Sequence, residues 1–115
     1  MPRLMQRIDA VPQQIAFRMT LFPGQAAEYR RRHDAIFPEL RAALKQAGVS
    51  DYSIWLDPVA NHLFAILTRS DDHTMDALPE TEIVQRWWAH MADIMATDAD
   101  NVPVQIPLKQ VFYLA

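Results

Sequence analysis

Apolar residues along this chain alternate between two spacings, and the order of those spacings limits the fold more than any single motif. Residues 16–21, AFRMTL, set Phe17, Met19 and Leu21 against Ala16, Arg18 and Thr20, the period of two of a strand with one buried face. Pro23-Gly24 then supplies a turn. From residue 25 to 47 the period lengthens: Tyr29, His33, Ile36, Leu40 and Leu44 recur at steps of three and four, and Gly48 stands where a helix C-terminus favours glycine.

Pro38 interrupts that stripe. It has no N–H for the carbonyl of Asp34 and its ring crowds that oxygen, which predicts a kink beside His33 and Asp34 and a carbonyl freed near the histidine. Residues 52–56 (YSIWL) and 63–68 (LFAILT) read as two antiparallel strands joined through Asp57-Pro58 and Asn61. A second helix follows over residues 81–95, where Ile83, Trp87, Met91 and Ile94 form one stripe beyond Pro79. Residues 108–114 (LKQVFYL) predict a last strand.

The order strand, helix, strand, strand, helix, strand is the ferredoxin-like split βαββαβ arrangement of the α+β class, with both helices on one face of an antiparallel sheet. The opposite face also carries apolar side chains, so it needs a cover, and a two-fold homodimer packed sheet on sheet is the simplest one. Residues 1–14 read as an N-terminal extension and residues 15–115 as a single domain, since 115 residues support one core.

Composition removes several function classes. A formal charge of −3 repels phosphate, and the only dense basic stretch is Arg30-Arg31-Arg32, whose members spread around a helix beside Glu28, Asp34 and Glu39. Nucleic acid is therefore not an expected partner, and the arginines read as a solvated face. There is no cysteine, so neither disulfides nor thiolate chemistry is available, which suits a cytoplasmic location. The opening MPRLMQRIDAVPQQ lacks the apolar run of an export signal, and no later run has the length of a membrane span. His62, His73 and His90 are scattered without zinc-site spacing, and a chain with only Gly24 and Gly48 is poorly suited to a glycine-rich phosphate cradle. Neither a metal nor a nucleotide cofactor is expected.

What remains is a small set of candidates. Tyr29 and His33, four apart, share one helical face and come within reach of one small ligand. The same spacing equally suits a histidine at the edge of an apolar stripe, bonded to a backbone carbonyl. Trp87 and Trp88 diverge by ~100° around a helix, so both cannot enter the same core layer, and an indole face suits the C–H side of a sugar as well as a core. Tyr52, at the start of a strand, either caps the sheet edge or reaches into a cleft.

Five blocks in order, EYRRRHDAIFPEL, DYSIWLD, NHLFAIL, VQRWWAHMADIM and the terminal QVFYLA, resemble the L-rhamnose mutarotase family over nearly the whole chain. The resemblance implies a small dimeric ferredoxin-like isomerase that interconverts the α and β anomers of L-rhamnose without a cofactor. It implies the proton-donating role for His33 and sugar contacts for Tyr29, Tyr52, Trp87 and Trp88. Phe37 departs from the pattern, in which tryptophan precedes the proline, and the N-terminal segment has no counterpart. The alternatives are a cofactor-poor monooxygenase or haem-binding protein of the same fold, with His33 or His90 as axial ligand, and a non-catalytic dimeric binding module in which His33 is structural.

Overall fold

A computed structural model describes residues 12–115; the extension expected over residues 1–14 lies almost entirely outside the described residues. The strands are β1 (Gln13–Thr20), β2 (Val49–Asp57), β3 (His62–Arg69) and β4 (Ile106–Leu108). The helices are α1 (Ala26–Asp34), α2 (Pro38–Gln46) and α3 (Glu82–Met91), with a 3₁₀ segment at Met75–Glu80. The sheet order is β2-β3-β1-β4 and every neighbouring pair is antiparallel, which is the split arrangement the sequence predicts.

Alternation sorts the side chains as expected. Met19, Leu21, Leu63, Ala65 and Leu67 are buried beneath the helices, where Leu40, Val84, Trp87 and Met91 meet them. At ~25 cal/mol per Å² of apolar surface removed from water, this single core supplies the main favourable contribution to folding. Across the sheet, Trp55 pairs with Phe64, Phe64 with Arg18, and Arg18 with Ile106. That second face is open, with Trp55, Ile66, Ile106 and Leu108 all exposed.

Three expectations need correction. The stripe over residues 25–47 is two helices: α1 ends at Asp34, Ala35 caps it, and Pro38 opens α2 as its first residue. Proline at that position loses nothing, because the first-turn N–H has no intrahelical acceptor. The last strand is three residues long, at Ile106–Leu108, and does not extend over 108–114. Leu108 pairs with Ala16 and Ile106 with Arg18, so the same register brings Val111 level with Gln13, where β1 begins. Phe112, Tyr113 and Leu114 overrun that end and stay exposed despite their strand propensity.

The helix expected to run to residue 95 stops at Met91, after which Met95 bridges back to Leu21. Gly48 takes φ +91° after α2, and a Cβ there would run into Ser70 Oγ.

Candidate active site

α1 supplies two candidate groups in one turn. Tyr29, 9% exposed, is its only buried residue, and the His33 ring stacks on it at 4.3 Å between centroids. His33 Nδ1 lies 3.0 Å from the backbone oxygen of Tyr29. A carbonyl only accepts, so Nδ1 carries the proton and Nε2 keeps a lone pair. The oxygen that orients the imidazole is thus Tyr29's, one turn back, and not the Asp34 carbonyl that the proline was expected to free. Burial lowers the His33 pKa from its ordinary value, against the smaller opposing effects of the Tyr29 carbonyl and Asp34.

Tyr52 reaches the same space through a backbone irregularity. Ser50 pairs with Thr68 and Ser53 with Ile66, so Asp51 and Tyr52 together stand opposite Leu67. This is a β-bulge, and Asp51 takes the extra residue with φ +47°. Without it, Tyr52 would fall on the open face with Ser50; with it, Tyr52 joins Ile54 and Leu56 on the helix side. The residue is 40% exposed, yet desolvation pushes its phenol up to about 12. Both hold when a side chain's accessible area faces a concavity walled by protein. The Tyr29 phenol is also raised, by burial and then by the proximity of Tyr52.

α3 contributes the opposite wall. Trp87, 8% exposed, stands perpendicular to the His33 ring at 5.2 Å and to that of Phe37 at 5.0 Å between centroids, while Trp88 is half-buried. Tyr29, His33, Tyr52, Trp87 and Trp88 all line one cavity of about 950 Å³, at the upper end of the ~300–1,000 Å³ typical of small-molecule sites. Met75, Leu78 and Pro79 of the 3₁₀ segment complete it. Neither phenol oxygen has a protein hydrogen-bond partner among the described residues, and that of Tyr29 is not sealed from solvent. No cluster of three metal-ligating side chains occurs among them either. The arrangement therefore offers one lone pair on a desolvated imidazole, two protonated phenols and two indole plates: groups able to move protons on, and orient, a polyhydroxylated ring.

The profile of a family described as L-rhamnose mutarotase matches residues 14–114. This chain belongs to that family. The L-rhamnose mutarotase of Rhizobium meliloti (strain 1021) is 64% identical over 99 residues, covering 86% of this chain and 95% of the relative. That of Acidiphilium cryptum (strain JF-5) is 61% identical over 102 residues, covering 89% and 98%. The crystal structure of the L-rhamnose mutarotase from Formosa agariphila superposes with a TM-score of 0.83 at 48% identity, covering 90% of this chain and 99% of that one. A putative antibiotic biosynthesis monooxygenase from Caulobacter crescentus aligns over 95% of this chain with a TM-score of 0.55 at 19% identity. That likeness is one of fold alone.

Within this mutarotase family member the five expected site residues converge, and the rest of the site is less evident from sequence. Phe37 does not line the cavity; it stands behind Trp87, with the Arg86 guanidinium 5.9 Å from its ring centre. The three arginines are not one solvated face. Arg30 and Arg31 are exposed, but the Arg32 side chain is 11% exposed and bonds Glu28, Asp93 and the His90 carbonyl. The Glu28–Arg32 spacing was a signal for half of that arrangement. Asp93, 61 residues away in sequence, was not.

Proposed function

We propose that this protein is an isomerase of the aldose 1-epimerase type, interconverting the α and β anomers of L-rhamnopyranose by acid–base ring opening and reclosure. The observation that carries the reading is the His33 imidazole, its Nδ1–H committed to the Tyr29 carbonyl 3.0 Å away, on a residue lining the cavity with both tyrosines and both tryptophans. The L-rhamnose mutarotase name of relatives up to 64% identical supports the choice of sugar.

In the forward direction Nε2 takes the proton of the anomeric hydroxyl as the C1–O5 bond breaks, its electron pair going to the ring oxygen, which gains a proton. The aldehyde turns about C1–C2, and closing on its other face returns both protons. One histidine thus serves as base in opening and as donor in closing. A positioned acid–base group contributes ~10²–10⁴-fold, or ~3–5.5 kcal/mol, and a sugar that already mutarotates in water requires little more. The proton for the ring oxygen comes from a phenol or a cavity water; Asp34 is exposed at the rim beside Arg30 and is poorly suited to it. Tyr29 and Tyr52 orient hydroxyls, and Trp87 and Trp88 pack against C–H groups.

The working unit in this reading is a homodimer closed over the open sheet face. On that face Trp55, Ile66, Ile106 and Leu108 are exposed around Arg18, apolar surface that a second copy would cover. The exposed strand-prone segment 111–114 is available to the same partner. No helix among the described residues is long and apolar enough to cross a membrane.

NMR saturation transfer between the two anomeric signals of L-rhamnose tests the proposal. Exchange faster than buffer is expected from the wild-type protein; exchange at the buffer rate overturns it.

A further inference from the structure

α1 carries two of the five proposed site residues, yet it is the least anchored helix. Like α2, it spans nine residues, has no side-chain cap at its N-terminus and buries a single residue, Tyr29, so what sets it apart is its lack of close neighbours. The break before Pro38 separates it from α2, so the better-packed second half of the stripe does not hold its direction. α2 and α3 both pack against neighbouring elements; α1 makes no comparably dense backbone approach to any. The Tyr29 contacts orient the His33 ring within α1 but do not tie α1 to the helix that bears Trp87.

The Arg32 guanidinium is placed to do so. Its Nε meets Glu28 Oε2 at 2.7 Å within α1, and its NH1 and NH2 meet the Asp93 carboxylate at 2.7 and 3.2 Å. NH1 also donates to the His90 carbonyl at 2.6 Å. His90 lies in the last turn of α3 and Asp93 just beyond it. One planar group therefore joins α1, at the residue preceding His33, to the C-terminal end of the helix bearing Trp87 and Trp88. The carbonyl contact also places a cation where the helix dipole favours one. A fork of this kind fixes direction as well as distance, which a lysine at the same position would not.

We propose that Arg32 is a positioning residue of the active site: its clamp on Glu28, Asp93 and the His90 carbonyl fixes the His33 imidazole against Trp87. The proposal rests on the mutarotase reading for its kinetic consequence but not for its structural one. Arg32 does not line the cavity, so it acts through His33 and not on the sugar.

The test compares Arg32→Gln, Arg32→Lys and Asp93→Asn with Arg31→Gln, which loses its own two bonds to Glu28 but keeps the Arg32 contacts to Glu28, Asp93 and the His90 carbonyl. Two readouts are taken on the full chain: anomer exchange resolved into kcat and KM, and the imidazole NMR signals and titration of His33. Small displacements of a catalytic group cost up to ~10²-fold, so Arg32→Gln is expected to lower kcat ~10-fold or more with a smaller change in KM, and to move the His33 titration. Asp93→Asn should do the same to a lesser degree, Arg32→Lys should restore only part of the loss, and Arg31→Gln should alter neither readout. If Arg32→Gln does not fold, Asp93→Asn, which leaves the Glu28 arm intact, decides by the same two readouts. Lower thermal stability with unchanged kcat, KM and His33 signals would reduce Arg32 to a structural tie, as would equal effects from Arg31→Gln. A wild-type protein without anomer exchange would defeat the mutarotase reading, and the His33 signals would still decide the clamp.

Discussion

The backbone oxygen of Tyr29 and the Nδ1 of His33 lie 3.0 Å apart, one helical turn separating the two residues. That single bond sets the tautomer of the imidazole, and the stacking of the His33 ring on the Tyr29 phenol at 4.3 Å sets its plane. Replacing the imidazole should therefore remove chemistry and leave architecture. His33→Gln is expected to lower anomer exchange by ~10²–10⁴-fold, while circular dichroism and the thermal midpoint stay near wild type. Retention of full exchange by the variant would end the assignment of His33 and leave the family membership untouched.

Burial favours the neutral imidazole, so the folded pKa of His33 lies below the ordinary value near 6.5. Between the folded and unfolded pKa values the unfolded chain binds more protons, so stability rises with pH there. The contribution is complete above the unfolded value and lost as pH falls through it toward the folded one. Activity that needs the Nε2 lone pair should likewise fall on the acid side with an apparent pKa below 6.5 and stay level through neutrality. The pH profiles of exchange and of urea midpoints check both limbs, with His33→Gln flattening this contribution to the second.

Much of this was legible in sequence, for identifiable reasons. Strand alternation around Phe17 and Met19 is a local pattern that survives in the structure, and the 3.6-residue stripe survives within each of two helices, around Tyr29 and around Leu40. Pro38 announced a discontinuity but not its size, because whether a helix bends or restarts depends on where its two halves find apolar surface. The Asp51–Tyr52 bulge was invisible: no glycine marks it, yet it decides which face of the sheet Tyr52 occupies. The Arg32–Asp93 contact joins residues 61 positions apart, beyond any helical spacing rule. The strand expected over residues 108–114 stops at Leu108 although β1 continues opposite residues 109–111, and beyond Val111 no partner strand is left for Phe112, Tyr113 and Leu114.

Tyr52→Phe separates binding from folding. Its hydroxyl has no protein partner among the described residues, so folding loses almost nothing by its removal. One lost sugar hydrogen bond of ~0.5–1.5 kcal/mol corresponds to a ~2–10-fold rise in KM. Exchange rates measured across a rhamnose concentration series, beside a thermal melt, give both numbers. An unchanged KM with a lowered melting temperature would return Tyr52 to a purely structural place in the sheet.

Gly48→Ala should destabilise without touching the site. The residue holds φ +91°, and an added Cβ meets Ser70 Oγ and the His73 backbone. Left-handed strain and crowding together are expected to cost ~1 kcal/mol or more. Denaturant midpoints measure the loss, and kcat for the remaining folded protein should match wild type.

The open sheet face makes the last prediction. Trp55 is 65% exposed there, alongside Ile66, Ile106 and Leu108, an apolar surface that a second copy would remove from water. A charge placed in its middle opposes that burial twice, by desolvation and, under two-fold symmetry, by facing its own image. Ile66→Glu should therefore shift the protein from dimer to monomer in light scattering at micromolar concentration. Helix content should be kept, since residue 66 points away from the helices. The cavity lies on the opposite face of the sheet, so a monomer that still exchanges anomers would show that dimerisation serves solubility, whereas loss of exchange would make the second copy part of the working site. A wild-type protein that is monomeric in the same measurement would remove the dimer from the proposal altogether.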